Sequence, residues 1–456
     1  MQSNLINFAP RLGFAYDVFG DSKTSLRGGF GMFYDTRMTG LANNRVVDLT
    51  PFSPQIGPLT PPPGPFSDPY CQKTAGCTAI SNPFPITLPV PSSYVFPLPL
   101  QIIGFDNRSN LKTPVVDEWN LGLQHEFPSG FLAQLAYVGS HGSHIKESVQ
   151  LNPAFPTATK PAACGGKNTF CDATRRLNLP FEAINPKNVV YNNVWQGWND
   201  VNSSYNSLQA SLEKRAKAIT LIGSYTWAKS IDDLPVGANV SEIGADTGGV
   251  SPLPWDNPNR HAFDRGPSEF DRTHRVVGSY VLQLPQMSDW NTGMRELLGG
   301  WMLSGSTQFQ TGRPLTVMSG FSSGTDLSGV GNGTDRGVFL GGNPYGGNTC
   351  GTSPHCVTWL NPAAFQQPAA GTFGNAGKGE LRGPNYWTWD MGLMKNFTMT
   401  ERWKLQFRAE YFNVFNRVNL NDPSASTGIA SLRSSFGQIT GAGDPRIGQL
   451  ALKVLF

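Results

Sequence analysis

The segment WTWDMGLMKNFTMTERWKLQFRAEYFN, Trp387–Asn413, decides how the rest of the chain is read. Going in, Trp387, Trp389, Met391 and Leu393 alternate with Thr388, Asp390 and Gly392. Coming out, Trp403, Leu405, Phe407, Ala409 and Tyr411 alternate with Lys404, Gln406, Arg408 and Glu410. Successive side chains of a strand point to opposite faces, so each run is a strand with one apolar and one polar face. The short connection around Thr398–Glu401 joins the two runs as a hairpin.

The same unit recurs upstream. Arg11–Asp35 turns at Gly20–Ser22, Val116–Ser140 at Pro128–Gly130, and Ser207–Ser230 near Ala216. His274–Pro285 and Gly299–Gly312 form a further pair with a longer link. In the tail DPRIGQLALKVLF, Leu450, Leu452, Val454 and Phe456 share one parity. Five hairpins and this tail predict an all-β, antiparallel fold of about eleven strands. The connections are unequal. Turns within hairpins are tight, whereas links between hairpins cover roughly 37–112, 148–202, 232–271, 313–385 and 414–443. Tight turns on one rim and long loops on the other is how a transmembrane β-barrel of the outer membrane is built, with the short turns periplasmic. Strand parity then puts Phe456 on the short-turn rim, as a lipid-facing aromatic in a girdle with Trp387 or Trp403.

Composition agrees. Charged residues are 15%, below the roughly 25% usual in soluble domains. Gly (51), Pro (36) and aromatics (11%) are all plentiful, as expected of many turns joining aromatic-rich strands. Net charge is +3 and no basic stripe appears, so nothing points to nucleic acid. No apolar run reaches the ~18 residues that a membrane helix requires; the most hydrophobic stretch, Pro85–Phe105, is broken repeatedly by proline. The opening MQSNLINFAPRLGFAYD does not read as a secretory signal.

The six cysteines fall in three close pairs, Cys71 with Cys77, Cys164 with Cys171 and Cys350 with Cys356. Nearest-neighbour disulfides are favoured because short loops cost least entropy to close. Free thiols and metal binding are the rivals, although the two-residue spacing of zinc-binding cysteines is missing and only His355 lies beside a pair. Disulfides would place these links in an oxidising compartment.

Taken together and in order, NFAPRLGFAYD, SLRGGFGMFYD, VDEWNLGLQHEFPSG, AYVGSHGSHI, SYNSLQASLEKR, GSYTWAKSIDD, FDRTHRVVGSYVLQLP, FQTGRPLTV, WDMGLMKNF, FRAEYFNVFNRVNL and PRIGQLALKVLF resemble the C-terminal barrel of Oar-like TonB-dependent receptors. These are large outer-membrane proteins that often begin with a carboxypeptidase-regulatory-like domain. The resemblance implies a twenty-two-stranded, plugged barrel, of which residues 1–456 would form a single partial domain, the second half. Signal peptide, plug and early strands would lie upstream. It also implies a transporter rather than an enzyme, with no cofactor. Its partners would be outer-membrane lipid, the plug and remaining barrel half, the TonB complex, and the barrel-assembly machinery at the terminal strand. Energy-coupled import of a large ligand is the leading expectation, and surface adhesion on the same barrel is the alternative. A soluble β-sandwich or carbohydrate-binding enzyme fits the alternation but not the turn–loop asymmetry.

Candidate sites are weighed against this frame. Lys404, Gln406, Arg408 and Glu410 must face the lumen, since charges turned outward at mid-depth cost about 2–4 kcal/mol each; contacts with a plug are expected of them. Trp387, Trp403 and Phe456 are expected at membrane interfaces, as girdle and assembly signal. His141 and His144 in GSHGSH read as polar loop-side residues rather than metal ligands. Asp271, Arg272, His274 and Arg275 in FDRTHR form the densest ionisable cluster, without a nucleophile elbow or phosphate loop beside it. VGNGTDRG, Val330–Gly337, mimics a glycine-rich nucleotide loop but lacks flanking strand and helix patterns, so a surface loop is expected.

Overall fold

The computed structural model describes residues 7–35, 100–105, 112–128, 130–159, 172–182, 190–236, 251–319, 326–332, 335–347, 350, 356–423 and 436–456. Eleven strands follow one another across one sheet in chain order, each antiparallel to the next. They are β1 (Arg11–Asp17), β2 (Thr24–Tyr34), β3 (Val115–Glu126), β4 (Phe131–Gln150), β5 (Tyr191–Ala216), β6 (Ile219–Asp232), β7 (His274–Gln283), β8 (Met302–Gln310), β9 (Tyr386–Thr398), β10 (Lys404–Phe412) and β11 (Ile447–Leu455). Two short pieces pair off this path: Leu100–Phe105 runs parallel to β5, and Gly266–Pro267 antiparallel to β6. β1 and β11 form the two edges and do not pair with each other, so the sheet is open. Among the described residues no helix is long and apolar enough to cross a membrane.

Turn chemistry closes the hairpins where the sequence predicts. Asp17 accepts the backbone N–H of Gly20 (3.0 Å) and of Ser22 (2.7 Å), fixing the β1–β2 turn. Gly20 there sits at φ 71°, a conformation glycine adopts at no steric cost. The β5–β6 turn is only Lys217–Ala218.

Register carries the two faces across the molecule. Directly opposed residues share a face, and one row reads Tyr16, Leu26, Leu123, Leu135, Ala210, Tyr225, Val276, Phe309, Trp387 over β1 to β9. The neighbouring row reads Ala15, Arg27, Gly122, Ala136, Gln209, Thr226, Arg275, Gln310. The apolar row starts beside the β1–β2 turn and ends at the long-link end of β9. That steady stagger is what strand tilt in a barrel requires. The apolar face is not sealed inside: Leu450 is 71% and Leu452 68% exposed on β11. Aromatic rings lie across glycines of the next strand on this face. A Cβ on Gly139 would stand 2.5 Å from the Trp119 ring, so only glycine fits there.

The strands outrun the sequence-predicted bounds on one side. β4 continues to Gln150 and β5 begins at Tyr191, so the link expected at about 148–202 is occupied by strand at both ends. β5 has 26 residues, more than twice the 9–11 that span a bilayer. Past the hydrocarbon layer neither face meets lipid, so the upper strand loses its period-two signal. A bulge between Gly142 and Ile145, with His144 at φ 57°, obscures it further.

The buried core lies in the long links rather than in the sheet. Leu315, Val317, Leu360, Phe365, Leu381 and Phe436 pack together from the β8–β9 and β10–β11 links. Three two-residue strand pairs brace this cap: Pro314–Leu315 with Leu381–Arg382, Val338–Phe339 with Phe365–Gln366, and Val357–Thr358 with Gln438–Ile439.

Candidate functional site

Two surfaces carry the polar chemistry: the non-lipid face of the sheet and the joint between the strand tops and the cap. On β10, Lys404, Gln406, Arg408 and Glu410 share the polar face, and across from them stand Thr398, Asn396, Met394 and Gly392 of β9. Asn396 Oδ1 accepts from Gln406 Nε2 (2.8 Å), whose Oε1 accepts from Arg408 Nε (2.8 Å). Gln449 of β11 donates to Glu410. Lys404 and Arg408 are exposed. An open groove of about 370 Å³ runs along this face past Ser279, Ser304, Ser306, Asp390 and Glu410. Val281, Met391, Tyr411 and Phe412 line it as well, so it offers apolar surface beside the hydroxyls and carboxylates.

At the strand tops, buried ion pairs fasten the long links to the sheet and to one another. Arg260 binds Glu147 of β4 through Nη1 and Asp200 of β5 through Nη2 (2.8 Å). Lys378 reaches Asp232 at the end of β6 and also the Leu234 carbonyl (2.7 Å). Arg336 pairs with Asp264 at 2.8 Å, their side chains 2% and 1% exposed. Arg382 pairs with Asp271 at 2.6 Å. Burial pushes the Asp264 carboxyl above the usual carboxylate range, against the pull of Arg336. Burial likewise lifts Asp335 to about 7, with Asp326 beside it adding repulsion and the Ser328 N–H (2.7 Å) opposing.

Glu147, Asp200 and His261 bring ligand atoms within 4.8 Å of one another, the only such trio among the described residues. Arg260 already bridges the two carboxylates, and its fixed charge would repel a divalent ion placed between them. The trio is an ion-pair lock. His261 Nε2 stands 3.2 Å from Asp200, and Nδ1 makes a 3.2 Å charge contact with Asp233. These carboxylates raise the imidazole to about 10 despite its partial burial and Arg260.

The chain matches the family model for the outer membrane beta barrel domain over residues 1–449. It belongs to that family. The barrel therefore resides in the outer membrane of a Gram-negative bacterium, its apolar face toward lipid. Among solved structures it is similar to the outer membrane transporter YddB from Escherichia coli, at 12% identity and a TM-score of 0.46, covering 98% of this chain and 40% of that one. It is also similar to the ferripyoverdine receptor of the Pseudomonas aeruginosa outer membrane (11%, TM-score 0.39, 98% and 33%). The FrpB iron transporter from Neisseria meningitidis follows (9%, TM-score 0.37, 98% and 39%). The barrel thus spans about 40% or less of those chains; similarity at this level is no guide to cargo. No curated protein matches the chain.

The sequence-predicted residues separate under this geometry. Trp403 and Phe456 meet at the short-turn rim, ring centroids 5.4 Å apart. Trp387 does not join them: it stands at the opposite, long-link end of β9, stacked on Phe415 at 5.6 Å. The two tryptophans lie at opposite rims because β9 enters from a long link and leaves by a tight turn. Cys350 and Cys356 are disulfide-bonded, whereas Cys71, Cys77, Cys164 and Cys171 lie outside the described residues. His141 and His144 are both in β4, His141 paired with Ser204 just before the bulge and His144 within it. In FDRTHR, Asp271 also accepts from the Ser230 N–H (2.6 Å), Arg272 donates to the Asp271 carbonyl (3.0 Å), and His274 bonds the Tyr225 hydroxyl (2.9 Å). Arg275 pairs with Gln310 and Thr226 in the polar row. This cluster fastens the start of β7. VGNGTDRG is not a surface loop throughout, since Val330, Asp335 and Arg336 are buried; Arg336 pairs with Asp264, 72 positions away. Glu147, Asp200, Lys378 and Asp264 escaped sequence reasoning for the same reason.

Proposed function

We propose that this barrel is part of an Oar-like TonB-dependent receptor that imports a large ligand across the outer membrane. The observation that carries the reading is the pairing of an open, polar-lined sheet with a cap clamped by buried ion pairs. Two unpaired strand edges are not tolerated in lipid, so closure calls for further strands from the same receptor. Exposed Lys404 and Arg408 then have a plug to meet, and the terminal strand β11, ending on Phe456, offers the barrel-assembly machinery its edge. The disulfide-clipped, cored links act as a rigid vestibule that holds ligand and limits its escape. TonB would act on the plug, and the barrel itself would perform no covalent chemistry.

The test is a gene deletion with uptake of a panel of labelled ferric chelates and oligosaccharides, measured with and without inner-membrane energisation. The reading expects energy-dependent uptake of at least one class to disappear. Unchanged uptake of every class, with loss of cell cohesion instead, would sink it in favour of adhesion.

A further inference from the structure

The β7–β8 connection is the one hairpin link that is not a tight turn, and it contains a helix, Thr292–Leu298. Asn291 caps it by accepting the Met294 N–H (2.9 Å). Met294, Leu297 and Leu298 follow the i, i+3, i+4 spacing of one helical face, and Arg295 and Glu296 lie off it. Nothing in the helix is buried, and Leu297 is 63% exposed.

Where this link lies is fixed by Lys395. In β9 that residue shares parity with Leu393 and Phe397, and it pairs across to Phe407 and on to Leu452, all on the apolar face. A bare ammonium on that face is unfavourable. Lys395 is nonetheless 4% exposed, because its Nζ donates to the Gly299 carbonyl at the end of the helix. It also lies over the rings of Trp301 (5.5 Å) and Phe397 (5.1 Å). Trp301 in turn packs edge-on to Phe407 at 5.9 Å and donates to the Leu297 carbonyl (3.0 Å). The link is therefore folded back over the outside of the sheet at the short-turn rim, not into the lumen.

We infer that Thr292–Leu298 is an interfacial anchor whose Met294, Leu297 and Leu298 face enters the acyl chains of the inner leaflet. Through Trp301 the helix is joined to Phe407, which shares the apolar face of the sheet with Leu452. Interfacial amphipathic helices settle with their apolar side about 5–10 Å into the headgroup boundary. Lys395 is the tether that keeps this one there, its charge shielded by a carbonyl and two aromatic rings.

The test places the photo-crosslinker p-benzoylphenylalanine at position 297 or 298, and at 296 as the polar-face control, in the full-length protein in its native outer membrane. Heat-modifiable migration confirms that each variant folds. After irradiation, mass spectrometry is expected to find phospholipid adducts at 297 and 298 at least fivefold above 296. Protein adducts at 297 and 298, no lipid adduct at either, or equal lipid labelling at all three positions would overturn the anchor.

Discussion

A lysine and an arginine on neighbouring strands show how a cation is handled on each face. Arg408 is exposed on the polar face with only Gln406 beneath its Nε, whereas Lys395 on the apolar face is wrapped by carbonyl and rings. In the cap, charge is buried outright, and there single residues matter most. Arg336→Leu leaves Asp264 buried without its partner, a loss of about 3–5 kcal/mol. Limited proteolysis should show the cap opening, and the double change with Asp264→Leu should recover most of the resistance. His261 gives a pH signature. Its folded pKa of about 10 exceeds the ordinary 6.5 because Asp200 and Asp233 hold the proton. A raised pKa stabilises fully below 6.5, and the contribution fades as pH rises through 10. Protection of the β6–β7 link measured by hydrogen exchange should therefore decline between those limits, and His261→Gln should flatten that slope. A slope unchanged in the variant would locate the titration elsewhere.

At the scale of elements, alternation was legible wherever a strand crosses hydrocarbon, because lipid on one face and water on the other enforces period two. Trp387–Asn413 and the tail show it plainly. The tops of β4 and β5 were not legible, since GSHGSHIKESVQ meets polar surroundings on both faces. The ion-pair locks were hidden for a different reason: Arg260 and Glu147 are 113 positions apart, and no local spacing signals their meeting. Lys395 did leave a trace, falling on the apolar parity two residues after Leu393. The faces make a direct prediction on β11. Leu452→Arg turns a cation toward lipid and should cost about 2–4 kcal/mol near mid-depth, while Ala451→Glu on the polar face, directly opposite Arg408, should cost far less. Denaturant titration of the barrel in lipid vesicles reads the difference, and equal costs would mean the two faces are wrongly assigned.

For the whole molecule, the proposed receptor requires further strands to complete the sheet and a plug to meet its polar face. Both demands follow from the same geometry, since β1 and β11 end the sheet without partners and Lys404 and Arg408 stand exposed beside that edge. Arg408→Glu in the intact receptor should weaken plug retention or uptake several-fold, read by plug accessibility to protease and by ligand accumulation. Neutral behaviour in both would remove the plug-contact role. The edges give the stronger discrimination. Open amides exchange freely, whereas ladder-bonded amides exchange only on local opening. In residues 1–456 produced alone, β1 and β11 should exchange fast on their outer side while β5 and β6 stay protected. In the full receptor, protection of β1 and β11 should rise to the level of the central strands. If both edges are already protected in the isolated chain, the sheet closes on itself, and no second set of strands is needed to complete it.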